Sequence, residues 1–146
     1  MIVLGIDTCL SSCAVAVRDG ETLLASAREV MARGHQERLA PMARAVMAEA
    51  GIGFDRLDRI GVTVGPGSFT GLRVGIASAR GLGAALGLPL LGVCTLDAIA
   101  HGLGATDADA GRPRLAVLDA RRGEAFAALY TPSGERLWEP WVGTPA

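Results

Sequence analysis

Apolar positions change period along this 146-residue chain. Ile2–Asp7 (IVLGID) is a short apolar run rich in β-branched residues, and Ser12–Arg18 (SCAVAVR) alternates, as a half-buried strand does. Asp19-Gly20 is a strong two-residue hairpin signal, and Glu21–Arg28 supplies a third segment. The opening therefore predicts three consecutive antiparallel strands. The period then lengthens. Leu39, Met42, Ala43, Val46, Met47 and Ala50 fall on one helical face, with Gly51 as the stop. After a loop over Ile52–Asp58, RIGVTV at 59–64 predicts a buried strand. A long helix follows from about Ser68 to Leu86, closed by Gly87 and Pro89. LLGVC at 90–94 predicts another buried strand, and Thr95 is placed to cap a helix reaching about Leu103.

The first hundred residues thus read βββ-α-β-α-β-α. Three antiparallel strands running into strand–helix units are the ribonuclease H-like order, the building block of actin-like ATPases and sugar kinases. The expected fold is α/β, a mixed sheet flanked by helices, which by itself assigns no function. Residues 1–103 form this first domain. GATDADAGRP at 104–113 is small, polar and acidic, and reads as a linker. Beyond it, RLAVLDA (114–120) and EAFAALY (124–130) flank a tight turn, TPSG (131–134) turns again, and a third strand is expected near Glu135. Residues 114–146 repeat the start of the first half and read as the truncated start of a second, similar domain. A lone hairpin with one more strand has little to pack against, so a fragment or an unusually short form is expected.

Composition narrows the classes. Half the residues are hydrophobic and 20% are charged, enough for a globular core. All 14 basic residues are arginine, and the formal net charge is −1. No basic block marks a tight nucleic-acid binder. Cys9, Cys13 and Cys94 are odd in number and form no CxxC, which suits reduced thiols in a cytoplasmic protein. MIVLGIDT lacks the basic start of a signal peptide. No apolar run approaches the ~20 residues that span a bilayer.

Several residues invite chemistry. Asp7 and Thr8 end the first strand, and with Ser11 and Ser12 they outline a turn whose N–H groups could face an anion or nucleotide. A strand-end Asp capping its own turn is the competing reading. GPGSFTG at 65–71 opens a helix, where an anion is welcome. It lacks the Walker lysine, and Pro66 removes a donor. Gly71, Gly75, Ala79 and Gly83 recur every four residues along that helix. Each glycine costs ~1 kcal/mol relative to alanine, so a close backbone approach is expected in return. Packing on the chain's own sheet and packing on a partner helix both satisfy this. The stripe is assigned here, with Leu39, Met42, Val46 and Met47, to a partner or dimer interface. His35 and His101 form no ligand spacing, and no nucleophile–base set is visible.

GIDT (5–8), GHQERLAP (34–41), the long stretch GPGSFTGLRVGIASARGLGAALGLPLLGVCTL (65–96) and LDARRGEAFAALY (118–130) resemble the TsaB (YeaZ) family. This is the bacterial glycoprotease-like branch of the actin-like fold. The resemblance implies a non-catalytic role. Members assist TsaD, which transfers threonylcarbamoyl to adenosine beside the tRNA anticodon. They bind TsaD through the helices of the first domain, TsaE joins with ATP, and homodimers form when TsaD is absent. Contact with tRNA comes only through the complex, and no cofactor or membrane is implied. Members are longer, with a complete second domain. The related catalytic subunit carries its metal ligands in H-x-E-x-H just after the strand equivalent to 90–94. Here that stretch is Thr95-Leu96-Asp97-Ala98-Ile99, and neither Thr95 nor Ile99 replaces an imidazole. No metal or catalytic residue is therefore expected. An actin-like ATPase or small-molecule kinase using Asp7, or a glycoprotease-like metallopeptidase, is the alternative.

Overall fold

The computed structural model describes residues 1–102 and 111–145, which form two compact units. The first unit comprises Met1–Val64 and Ser68–Val93; Gly65–Gly67 and Cys94–Ala146 make the second.

In the first unit, β1 (Ile2–Asp7), β2 (Ser12–Asp19), β3 (Thr22–Val30), β4 (Arg59–Gly65) and β5 (Leu90–Cys94) form one sheet in the order β3-β2-β1-β4-β5. β1 pairs antiparallel with β2 and parallel with β4, so the sheet is mixed, as the ribonuclease H-like order requires. The two-residue link is Gly20-Glu21, with Gly20 at φ +54°. Asp19 accepts a 2.8 Å bond from the N-terminal ammonium. The third strand runs two residues beyond the expected Arg28, to Val30, which pairs with Ser12 at the start of β2.

α1 (His35–Glu49) begins a turn before its first apolar residue. α2 (Phe69–Leu86) starts where expected, the Ser68 Oγ accepting from the Gly71 N–H at 3.3 Å. Gly87, at φ +67°, ends it in the left-handed region that glycine tolerates. The predicted loop before β4 contains one turn of 3-10 helix, Phe54–Arg56. The core lies between the helices and one face of the sheet. Leu39, Met42, Val46 and Met47 pack with Leu4, Ile6, Val15, Val17 and Ile60. Alternation along β1 and β2 sends Gly5, Ala14 and Ala16 to the opposite face.

β5 departs from the expected buried strand. Leu90 and Leu91 are 41% and 54% exposed, because β5 is an edge strand. The sequence cannot distinguish an apolar edge strand from a central one.

In the second unit, β6 (Arg114–Arg121), β7 (Glu124–Tyr130) and β8 (Trp141–Gly143) form an antiparallel sheet. The expected strand near Glu135 is only a bridge, Tyr130 to Arg136, and the true strand comes later. α3 (Thr95–Gly102) packs here, burying Leu96 and Ala100 against Ala116, Ala128 and Tyr130. The hairpin therefore has a helix to pack on, and the helix assigned by sequence to residues 1–103 belongs with the second sheet. Thr95 is the first helical residue rather than a cap; its buried hydroxyl has no hydrogen-bond partner among the described residues. The end of that helix at Leu103 and most of the linker at 104–113 lie outside the described residues.

Candidate functional site

Asp7 sits at the C-terminal end of β1, between β2 and β4. Its Oδ1 accepts from the Cys9 N–H at 2.9 Å and from the Thr63 hydroxyl at 2.7 Å. The capping reading of Asp7 is thus realised, and the Cys9 N–H is spent on it rather than offered to an anion. The Cys9 thiol donates to Thr63 Oγ1 at 2.9 Å, extending the network inward. Thr8 is buried and donates to the Gly71 carbonyl at 2.7 Å. Ser11 is exposed, whereas Ser12 is buried and accepts from Arg28 Nε at 3.3 Å. Of the four candidate residues, Asp7 and Ser12 border one patch of the sheet; Thr8 holds the fold together. Burial foremost pushes the Cys13 thiol up, leaving it a core side chain rather than a nucleophile.

The glycine stripe faces the chain's own sheet. A Cβ on Gly71 would collide with the Thr8 carbonyl oxygen, and one on Gly75 would lie 2.5 Å from Thr8 Oγ1. Ala79 is fully buried, and a Cβ on Gly83 would lie 2.8 Å from Leu90 Cδ2. Gly71 and Gly75 let α2 approach the end of β1, Gly83 lies against Leu90 of β5, and a partner helix has no access to these three. Leu39, Met42, Val46 and Met47 are likewise no more than 2% exposed. Turning those four outward would cost ~1.5–3 kcal/mol each, comparable with the whole ~5–15 kcal/mol stability of a domain. The interface assigned from sequence is therefore corrected: these eight residues build the first unit. Periodicity identifies the apolar face of a helix, and that face is the one the core claims first.

The opposite faces of the same helices are open. On α1 these are Ala40, Arg44, Ala45 and Ala48; on α2, Phe69, Arg73, Ala77 and Ala84. Phe69 is 67% exposed, with the Arg73 guanidinium 3.9 Å from its ring centroid. Sequence reasoning missed this surface, although alanines filling the polar phase of both helices were the available signal.

On α3, Thr95 and Ile99 pack within the second unit, and Asp97 is occupied. Its carboxylate accepts from the Tyr130 hydroxyl at 2.7 Å and from Arg136 through both oxygens at 2.7 Å. Burial pushes the Asp97 carboxyl up, but the Arg136 and Tyr130 hydrogen bonds, with the charge of Arg136, outweigh it and hold it below its usual range. Burial, then the bond to Asp97, pushes the Tyr130 phenol well above its usual value. Among the described residues no three His, Cys, Asp or Glu side chains are grouped to hold a metal ion. Thr95, Asp97 and Ile99 do not fit one: a hydroxyl, a carboxylate already paired with arginine, and a methyl-terminated chain.

The β6–β7 hairpin tip is strained. Arg121, Arg122 and Gly123 have φ of +66°, +56° and +81°, and the Asp119 carboxylate accepts from the Arg121 N–H at 2.7 Å. Asp119 and Arg121 thus meet through backbone, in a solvated turn.

A protein-family model described as TsaD, tRNA N6-adenosine threonylcarbamoyltransferase, matches residues 27–142. A Mycobacterium tuberculosis protein without an assigned function is 44% identical over 146 residues, covering 99% of this chain and 65% of its own length. The Escherichia coli tRNA threonylcarbamoyladenosine biosynthesis protein TsaB is 36% identical over 138 residues, covering 94% of this chain and 58% of its own. Among solved structures, YeaZ from Pseudomonas aeruginosa superposes with a TM-score of 0.87 at 33% identity, over 99% of this chain and 68% of that one. The chain therefore spans less than two thirds of these two sequence relatives. The mixed sheet, the loop opening α2 and the long match to these proteins agree: the chain belongs to the TsaD family and, within it, is TsaB/YeaZ-like.

Proposed function

We propose that this chain acts in threonylcarbamoyladenosine biosynthesis on tRNA as a non-catalytic subunit that binds and supports a TsaD-type transferase. One observation carries the non-catalytic reading. The residues that follow β5, where the resemblance implies the catalytic relative's metal ligands, are committed here to packing and to the Asp97–Arg136 pair. A structural ion pair satisfies the carboxylate without any metal, and among the described residues no ligand cluster surrounds it.

The partner docks on the outward face of α1 and α2. That face combines small side chains, which let a second helix pair approach, with one exposed aromatic backed by arginine. Aromatic and arginine residues are the side chains that dominate interface energies, and alanine ridges suit close helix packing. In this reading the same face serves a homodimer when TsaD is absent, TsaE joins the assembled pair with ATP, and tRNA is met through the complex. The assembly works in the cytoplasm; among the described residues no helix is long and apolar enough to cross a membrane.

The test is capture of TsaD from the same organism by this chain, comparing wild type with Ala45→Glu and Phe69→Ala. Retained melting temperature with at least about tenfold weaker capture supports the assignment, since a hot-spot truncation costs more than ~1 kcal/mol. Undiminished capture by both variants places the interface elsewhere.

A further inference from the structure

α2 contains no Asp or Glu along its 18 residues, and its charges are two arginines, Arg73 and Arg80. They stand two turns of helix apart and so share one face. That face lies opposite the stripe of Gly71, Gly75, Ala79 and Gly83 that α2 buries. Both arginines are exposed, and neither makes a hydrogen bond or ion pair to the described residues. Arg73 is instead laid on the Phe69 ring one turn earlier, 3.9 Å from its centroid, which holds its charge on the face. Ala77 and Ala84 lie in line with the two arginines. The neighbouring α1 adds exposed Arg44, with Glu37 in its first turn and Glu49 as its last residue. Away from the ends of α1, the outward face is therefore positive, in a chain whose formal net charge is −1.

We propose that the arginine ridge of α2 selects its partner by charge: it takes a helix bearing Asp or Glu two turns apart, in preference to a second copy of this chain. This rests on the docking face proposed above and names the chemistry that face recognises. A carboxylate opposite each guanidinium makes a charge-assisted pair, and the arginine fork holds a planar carboxylate through two N–H groups. A second copy meets the ridge differently. In a two-fold dimer the same patch faces itself. An α2–α2 contact then brings Arg73 and Arg80 toward their own equivalents, with no carboxylate on either helix. Like charges opposed in this way cost affinity, so the acidic partner is favoured over the copy. An RNA backbone is the other acidic surface that arginines meet. The observations favour a helix, because Ala77 and Ala84 give the low ridge on which one seats, whereas an RNA strand calls for further basic groups.

The experiment measures binding of the whole chain to TsaD from the same organism at about 50 and about 500 mM NaCl, between which the Debye length falls from roughly 14 Å to roughly 4 Å. Wild type is compared with Arg73→Gln/Arg80→Gln and Arg73→Glu/Arg80→Glu. Both replace exposed side chains, so both should melt as wild type does. With about threefold from each pair, the Gln variant binds about tenfold more weakly at low salt and the Glu variant about a hundredfold. Wild-type affinity falls about tenfold in high salt, and that of the Gln variant barely changes. Self-association, followed by sedimentation equilibrium without TsaD, has the opposite sign. Wild type pairs more tightly in high salt, and at low salt a mixture of wild type with the Glu variant pairs more tightly than either alone. TsaD binding indifferent to salt and to both variants overturns the proposal; if Ala45→Glu still loses capture, the docking face stands and the charge rule alone falls. No TsaD binding at either salt overturns both. Wild-type self-association that weakens as salt rises also overturns the proposal. So does tRNA binding by this chain alone that the Gln variant abolishes, which assigns the ridge to RNA.

Discussion

Gly71 and Gly75 are needed because Thr8 stands against α2. Adding one methyl at Gly71 drives it into the Thr8 carbonyl oxygen, a backbone atom that no side-chain rotation can move aside. We expect Gly71→Ala and Gly75→Leu to lower stability by at least ~1–3 kcal/mol, the usual cost of overpacking. Gly81, in the same helix, has nothing within 4 Å of the point where a methyl would stand. Gly81→Ala should stabilise by ~0.5–1 kcal/mol through helix propensity alone. Thermal melts of the three variants check the contrast, and a melt of Gly75→Leu equal to wild type would contradict it. Asp97 gives a second residue-scale prediction. Its carboxyl is held below its usual range when folded, so its contribution is complete above the ordinary carboxylate value of 3.8 and is lost as pH falls through the folded value. Below about pH 4 the wild type should lose stability more steeply than Asp97→Asn. At neutral pH that variant should be weaker by about 1–2 kcal/mol, a charged hydrogen bond discounted for partial exposure. Parallel acid limbs in urea melts from about pH 3 to 7 would show that Asp97 is not responsible.

At the scale of elements, α2 starts at the residue its sequence marks, because Ser68 supplies an acceptor for the Gly71 N–H and Gly87 supplies the left-handed stop. Ser68→Ala should cost ~0.5–2 kcal/mol, toward the low end because the bond is 3.3 Å long. Most of the element order was legible for the same reason: turn glycines and hydrophobic period are local signals. The misplacements came from non-local facts. Edge and central strands share the apolar run that β5 presents, and α3 joins the second sheet through Tyr130 and Arg136, which lie more than thirty residues away. The candidate site suffered more. The stripe and the α1 face were visible in the sequence, but only the fold shows that Thr8 and the core occupy them. Arg28, the partner of Ser12, was missed because its place opposite Ala14 depends on strand register, which the unmatched Leu24 of β3 shifts by one residue.

For the whole molecule, the proposed non-catalytic role rests on packing at the place where the resemblance implies ligands. The sheet order is that of actin-like proteins, whereas the residues after β5 close a second small core instead of gathering ligands. Incubation with Fe(II) or Zn(II) followed by desalting should leave well under one metal per chain; a stoichiometric, tightly held ion would count against the non-catalytic reading. The most direct measurement is reconstitution of threonylcarbamoyl transfer to tRNA with TsaD from the same organism, with and without this chain. The expected result is no transfer by this chain alone and a rate that rises when it joins TsaD, with Ala45→Glu losing that gain while melting as wild type does. Transfer by this chain in the absence of TsaD, or a TsaD rate indifferent to its presence, would contradict the assignment.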